Sequence, residues 1–465
     1  MTRISVLNTR VPLEEYPFPS VTLCPFHQIL KNPALALLRA NVNLSSSRAA
    51  NATPDDAMYL RMMSALQNFR YPQFSADWGK LDVEALESLG SMDAREFLVK
   101  VFPPCQIIFK SCRWLNVVVD CCTIFDLQET HNGLCYAFNS CTSRAFKDKE
   151  CAPRNGSSEK GGGLMVITHF TMPTEVVDTS VVSAFSVRTT PFLRVQRHAR
   201  GIPSVWSGPV GLLQVVVGNP FEVPQPVGGF FIREDVSISR IEASLSVQLA
   251  EPDIAYLPWE ARNCMFLDEQ PLSIARPYTQ QTCIEDCRLQ LIWERCGCTP
   301  HYFSRSPDQG GVGAYEKSCN ATGMQCIFEN KSTLRRTNSV PVKNKRELDG
   351  LRLLDNDTGY DCTCPSECQI LMYRTEITNL GTFKGSPVYD DNDTATTIFV
   401  RQRNMEARNI VYLKSLHRTF SEFVADLGNI AALFLGVSIL SVFEFGFVSV
   451  SCLKTLYEGL KASKI

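Results

Sequence analysis

The residues of this chain most able to do chemistry sit in its last apolar run, Leu427 to Leu453, which is 27 residues long and carries one formal charge, Glu444. That length and scarcity of charge read as a membrane span. A lone carboxylate inside hydrocarbon is costly, so Glu444 reads as functional rather than ornamental. Small residues recur at a spacing of four, at Gly428, Ala432 and Gly436, and let neighbouring helices approach closely. A span that packs against copies of itself and buries a carboxylate reads as the wall of a pore.

Cysteine is the second reactive set. Of nineteen, Cys24 stands alone, seven lie from Cys105 to Cys151, ten from Cys264 to Cys368, and Cys452 closes the apolar run. Setting Cys452 aside leaves an even eighteen. Clustered, even cysteines indicate disulfides and an oxidising compartment. Zinc is the rival reading, but the second cluster has no accompanying histidine pattern. Spacing alone leaves the pairing open. Sequons at Asn43, Asn51, Asn155, Asn320, Asn330, Asn356 and Asn392 all precede the span and point the same way. Residues 1 to about 420 therefore read as extracellular.

The elements that must position these residues follow from pattern. Residues 18–30 read as a strand and a turn, and 34–69 as helix around an Asn/Ser-rich loop. The stretch 81–102 has helical spacing with acidic residues early. Gly161, Gly162 and Gly163 lack a following GK[ST] and read as a connector. LLQVVVG, ASLSVQL and ATTIFV read as strands. CIEDCRLQLIWERCGC reads as a helix with Cys283 and Cys287 one turn apart on one face.

Composition excludes several classes. With 46 basic and 48 acidic side chains and a net charge of -2, nothing favours nucleic acid. No nucleophilic triad, metal-ligand set or paired carboxylates suggest an enzyme, and six histidines form no motif. No cofactor is expected. MTRISVLNTRVPLEEYPFPS has neither a signal peptide nor a span, so an extracellular region starting here is expected to follow an upstream segment.

Four separated motifs resemble the epithelial sodium channel/degenerin family, which includes the acid-sensing channels. They are FPSVTLC at 18–24, GLLQVVVGNPFEVP at 211–224, the ten cysteines from 264 to 368, and ADLGNIAALFLGVSILSVFE at 425–444. ARNCMFLDEQ and YTQQTC are closest to the invertebrate pickpocket-like branch.

The resemblance implies an α+β fold: a disulfide-rich extracellular domain with a β-sheet palm and helical finger and thumb, then one C-terminal transmembrane helix, the first being absent. It implies a remnant at 1–17, palm and finger at 18–263, a cysteine-rich thumb at 264–368, palm return strands at 369–422, a pore-lining helix at 423–453 and a cytoplasmic tail at 454–465. The motif at 211–224 is similar to a palm strand of the family. Implied disulfides are Cys264–Cys368, Cys283–Cys364, Cys287–Cys362, Cys296–Cys326, Cys298–Cys319, Cys24–Cys135, and Cys112 with Cys121 or Cys122. Cys105, Cys141, Cys151 and the leftover of that adjacent pair stay unassigned.

The resemblance also implies a selectivity sequence at Gly436, Val437 and Ser438, with sodium as the permeant ion, and a degenerin position at Ala425. Rings of carbonyl and hydroxyl oxygens would replace part of the ion's hydration shell. Asp426 and Glu444 are 18 residues apart, about five turns, so a straight helix puts both carboxylates on one face. The implied partners are family subunits in a homo- or hetero-trimer and the lipid bilayer. The implied location is the plasma membrane, multi-pass when complete, with a cytoplasmic C-terminus. The family often has glycine where Asn429 and Ala432 stand here. The alternative reading is a single-pass cysteine-rich receptor or adhesion protein, which leaves Glu444 and the G-x-S placement without a purpose.

Overall fold

The structure is a computed structural model. It describes residues 2–9, 12–45, 56–71, 93–143, 151–157, 162–169, 212–225, 229–233, 238–274, 278–303, 317–334, 360–380, 395–403, 410–417, 420–436 and 438–462, with 74, 78, 315 and 337–338. The chain forms two compact units. The larger takes Val6–Leu249 and Asn263–Tyr412, and the smaller takes Met1–Ser5, Ala250–Arg262 and Leu413–Ile465.

Fifteen strands are named along the described chain: β1 (Thr2–Asn8), β2 (Ser20–Pro25), β3 (Phe109–Trp114), β4 (Val117–Val119), β5 (Phe125–Thr130), β6 (Gly133–Phe138), β7 (Leu164–His169), β8 (Leu212–Gly218), β9 (Phe230–Arg233), β10 (Ile238–Ala250), β11 (Thr337–Asn338), β12 (Tyr360–Asp361), β13 (Ile370–Asn379), β14 (Ala395–Gln402) and β15 (Val411–Leu416). In the larger unit the strands β10, β14, β7, β3 and β4 lie side by side, and β13 pairs with β10. The β10–β14 pair is parallel and the other pairs are antiparallel. Along β10, Ile241, Ala243, Leu245 and Val247 are all buried, a period of two that matches the pleat. Gly163 enters β7 at φ +145°, and a Cβ there would meet the Val400 carbonyl oxygen of β14 at 2.5 Å. No other residue fits that close approach.

A second, antiparallel sheet runs β5-β6-β2-β8-β9. Its central strand β2 is buried along its whole length. The valine-rich β8 packs beside it. LLQVVVG pairs with β2 and β9 in this sheet. Phe18 sits just before β2, edge-on to Trp114 at 4.9 Å and to Phe138 at 6.1 Å, in an aromatic core drawn from both sheets.

Helices α1 (Lys31–Ser45), α2 (Asp56–Gln67) and α3 (Ala94–Val101) contribute to the same core. In α3 the side chain of Asp93 accepts from the Arg95 and Glu96 amides, capping the N-terminus. Ala94, Phe97, Leu98 and Val101 fall on one buried face at helical spacing.

Helix α4 (Gln280–Cys296) starts at Thr279, whose hydroxyl accepts from the Thr282 amide at 3.1 Å. It ends at Gly297 with φ +62°, where the amide donates to Trp293. Helix α5 (Ala321–Glu329) is capped by Asn320, which accepts from the Gly323 amide at 3.0 Å. Gly323 itself is forced: a Cβ there would lie 2.5 Å from Cys298 Sγ.

In the smaller unit, Arg262 is buried and donates to the Leu257 carbonyl at 3.0 Å and the Ala255 carbonyl at 3.4 Å. Thr2 Oγ1 donates to the Arg262 carbonyl at 3.4 Å, and Arg3 donates to Ser415 Oγ at 3.3 Å. The Glu251 amide donates to the Lys414 carbonyl. Two apolar helices follow, α6 (Phe420–Leu435) and α7 (Ile439–Ala462). Residues Leu440–Tyr457 of α7 have a mean hydropathy of 1.3 and the length and composition to cross a membrane.

Candidate pore segment and its disulfide frame

The apolar run is not one helix. Gly436, at φ +62°, ends α6 and its amide donates to the Ala432 carbonyl at 3.1 Å. Helix α7 begins anew after Ser438. Glycine takes this left-handed conformation without a Cβ clash, and a Cβ at Gly436 meets nothing within 4 Å. Backbone shape, not crowding, therefore demands glycine there. Asp426 lies on α6 and Glu444 on α7, with Gly436 between them, so the two carboxylates do not share one straight helix as expected and the helical period does not put them on one face. Ala425 precedes Asp426 on α6 and is exposed, as is Glu444. Val437 lies outside the described residues.

Ser438 is engaged on both sides. Its hydroxyl accepts from the Ser441 amide at 3.2 Å, and its own amide donates to the Ser441 hydroxyl at 3.3 Å. The Val442 amide donates to the Ser438 carbonyl. Ser438 thus serves as the N-cap of α7.

Leu427, Ile430, Leu433, Phe434, Leu440, Phe443, Phe445 and Phe447 are more than half exposed along α6 and α7. A contiguous apolar surface of this kind needs lipid or neighbouring helices to cover it. Gly428 has open space around the position of a Cβ.

Nine disulfides join all eighteen cysteines of the extracellular stretch. Cys283 and Cys287, one turn apart on α4, reach Cys364 and Cys362. Cys264–Cys368 closes the same region, and Cys296–Cys326 and Cys298–Cys319 tie α5 to the end of α4. Cys24–Cys135 links β2 to β6. The adjacent pair divides: Cys121 bonds Cys112, and Cys122 bonds Cys105. Asp120 sets this up by accepting from the Cys122 amide at 3.0 Å, which starts a single helical turn and points the two thiols apart. Cys141–Cys151 uses the remaining two. Cys452 is the free cysteine among the described residues.

The sequons fall differently. Asn155 is exposed and donates to the Glu14 carbonyl at 3.0 Å. Asn320 caps α5, and Asn330 donates to the Cys326 carbonyl at 2.8 Å. Asn43 lies in α1, with its side chain outside the described set, as are Asn51, Asn356 and Asn392 entirely.

One buried node escaped sequence reasoning. Glu285 on α4 lies 2.8 Å from His131 of the β5–β6 turn and 2.6 Å from Arg288. Gln281 and Gln225 also donate to it. The Arg288 guanidinium stacks over Tyr71 at 4.0 Å. Burial pushes the Glu285 carboxyl up, but His131 and Arg288 together hold it down at about 2. Nearby, Arg95 of α3 pairs with the buried Glu129 of β5 at 3.3 Å and donates to the Phe303 carbonyl. Only the i,i+3 spacing of Glu285 and Arg288 was visible in sequence. A second missed pair is Glu222, raised to about 7 by burial and by the neighbouring carboxylate of Glu367, which is itself raised by burial.

The profile described as "Amiloride-sensitive sodium channel" matches residues 1–448. The chain belongs to the amiloride-sensitive sodium channel family. Among its relatives, Sodium channel protein Nach of Drosophila melanogaster is 22% identical over 95% of this chain and 75% of its own length. Pickpocket protein 28 of the same fly is 22% identical over 93% of this chain and 66% of its own length. Degenerin del-1 of Caenorhabditis elegans is 26% identical over 43% of this chain and 29% of its own. The amiloride-sensitive sodium channel family is one of ion channels and not of enzymes. This member is a membrane protein with a large disulfide-rich extracellular region and a candidate C-terminal span.

Proposed function

We propose that this protein is a pore-forming subunit of a trimeric, sodium-selective channel of the amiloride-sensitive type, gated by an extracellular stimulus. The observation that carries this reading is the interruption of the apolar segment at Gly436, with Ser438 opening the next helix. Non-helical backbone at membrane depth is tolerable where it lines a water-filled path or is buried by protein. A span that merely anchors has no use for such a break. Three copies would set the oxygens of Gly436, Val437 and Ser438 around one axis, where they replace part of a sodium ion's water shell. Asp426 would stand at the outer mouth and Glu444 on the inner side, and both would raise the local cation concentration. The sheet containing β10, β13 and β14 would be the palm, and the disulfide-braced α4 and α5 the thumb, a stiff lever between stimulus and pore. The C-terminus would be cytoplasmic, and the channel would act at the plasma membrane. That a relative is named a sodium channel supports the choice of ion.

The test is current. The full-length subunit is expressed in oocytes, alone and with relatives, and challenged with acid, peptides and flow. Amiloride-blocked sodium current, with selectivity altered by substitution of Ser438, supports the proposal. Surface-delivered protein that carries no current in any combination would favour the anchored-receptor reading.

A further inference from the structure

The break at Gly436 leaves a specific chemical demand, and the chain answers it with a residue outside the G-x-S sequence. The amide of Ser438 follows a non-helical turn and has no partner within α6. Ser441 supplies one: its hydroxyl accepts from the Ser438 amide at 3.3 Å, the Ser438 hydroxyl accepts from the Ser441 amide at 3.2 Å, and the two hydroxyl oxygens lie 3.2 Å apart. This is a reciprocal capping box with serine at both ends. On the side of the break turned away from a water-filled path, leaving these amides unpaired is costly.

Donor and acceptor arithmetic gives the pair a sharper meaning. Each hydroxyl has one hydrogen and two lone pairs. The Ser438 oxygen already spends one lone pair on the Ser441 amide. If Ser441 donates to it, the second is spent too, and Ser438 turns only a hydrogen outward. If Ser438 donates to Ser441, one lone pair of Ser438 stays available to a cation. The Ser441 oxygen thus decides whether Ser438 can act as a ligand.

We propose that Ser441 is a positioning residue for the selectivity sequence: by accepting from both the amide and the hydroxyl of Ser438, it fixes that side chain with a lone pair free for a permeant cation. The proposal rests on the channel reading given above for Ser438, and the test separates the two.

Hydrogen exchange is measured on the full-length protein in lipid nanodiscs. In Ser441→Ala, the peptide covering residues 438–442 exchanges roughly fivefold faster, as for a lost N-cap. Ser441→Thr, which keeps the hydroxyl, restores slow exchange. Bi-ionic reversal potentials in oocytes then read the sodium-to-potassium permeability ratio. Ser441→Ala shifts the ratio in the same direction as Ser438→Ala, the double variant shifts it no further, and Ser441→Thr keeps it. Unchanged exchange in Ser441→Ala overturns the proposal whatever the currents do. Wild-type selectivity in Ser441→Ala alongside altered selectivity in Ser438→Ala also overturns it, and leaves the channel reading standing. Faster exchange in Ser441→Ala together with wild-type selectivity in Ser438→Ala supports the hydroxyl pair and sinks the filter assignment beneath it.

Discussion

Nε2 of His131 lies 2.8 Å from Oε2 of Glu285, and both side chains are 1% exposed. The contact joins the β5–β6 turn to the cysteine-stapled helix α4. Arg288, on the same helix, approaches the same oxygen at 2.6 Å. The carboxylate is thus held by the Arg288 guanidinium and the His131 imidazole in the core of the larger unit. Removing it strands them: Glu285→Ala is expected to cost about 3–5 kcal/mol, as breaking a buried pair from one side does. Replacing Glu285 and Arg288 together by leucine is expected to cost less than Glu285→Ala alone, because the Arg288 guanidinium is not left buried without its carboxylate. Thermal unfolding of the purified full-length chain reads both.

Glu285 also fixes a pH window. Its carboxyl in the folded protein sits at about 2, below the ordinary value of 4.5. The proton is therefore held more weakly in the fold than in the unfolded chain. The stabilisation is fully present above about pH 4.5 and is lost as pH falls toward 2. Glu222 has the opposite sign. Burial, then the Glu367 carboxylate, raises it to about 7, against a side-chain hydrogen bond from Asn219 that lowers it. Between pH 4.5 and 7 the unfolded chain gives up this proton while the fold keeps it, so stability falls as pH rises through that range. Glu222→Gln is expected to flatten that part of a stability-against-pH curve and leave the acid limb of Glu285 intact. An unchanged slope between pH 4.5 and 7 would count against the burial of Glu222.

The neighbouring cysteines Cys121 and Cys122 give a yes-or-no prediction. Non-reducing digestion with mass spectrometry is expected to find Cys112–Cys121 and Cys105–Cys122. Asp120→Ala removes the cap on the Cys122 amide and is expected to raise the fraction of the swapped pairs, Cys105–Cys121 and Cys112–Cys122. Finding the swapped pairs as the main species in the native protein would contradict the geometry around Asp120.

What the sequence displayed, and what it hid, divides by range. Helix α4 was legible because the one-turn spacing of Cys283 and Cys287 is local, and strands β8, β10 and β14 because alternating or valine-rich runs are local. Gly436 and Ser438 stand where α6 stops and α7 starts. Strand partnership was not legible. LLQVVVG reads equally well for either sheet, and β2 decides the outcome from nearly 200 residues away. The His131–Glu285 contact was hidden for the same reason: neither residue is unusual where it stands, and burial, which makes the pair matter, is a property of the packed core. The same-face argument for Asp426 and Glu444 failed because a helical period holds only while the helix does.

Ala425 and Asp426 lie together on α6, one turn before Gly428 and Asn429. A bulky side chain at Ala425 is expected to hold the proposed gate open, since it takes up space that a closed arrangement of three helices would require. Ala425→Val and Ala425→Phe in the full-length subunit should give a standing amiloride-sensitive current in oocytes without stimulus, larger for the bigger side chain. Currents equal to wild type for both would sink the assignment of this position.

Two glycines of the candidate pore segment, Gly428 and Gly436, should respond differently to the same substitution. Gly436 sits at φ +62° with open space around a Cβ, so Gly436→Ala meets no clash and costs only the left-handed backbone, about 1–2 kcal/mol. Gly428 is helical, and a Cβ there also meets nothing within 4 Å of this chain. For an isolated chain, Gly428→Ala should therefore stabilise α6 by up to about 1 kcal/mol through helix propensity. In an assembled channel the same methyl would meet a neighbouring helix if small residues line the contact, and assembly should weaken. Measuring oligomer mass in detergent alongside helix content by circular dichroism separates the cases. Gly428→Ala is expected to raise helicity and lower the oligomer fraction, while Gly436→Ala destabilises the left-handed break without lowering helicity and with less effect on assembly. If Gly428→Ala leaves the oligomer untouched, the small-residue stripe of Gly428, Ala432 and Gly436 does not form the helix–helix contact, and the proposed trimer would have to be held by its extracellular region instead.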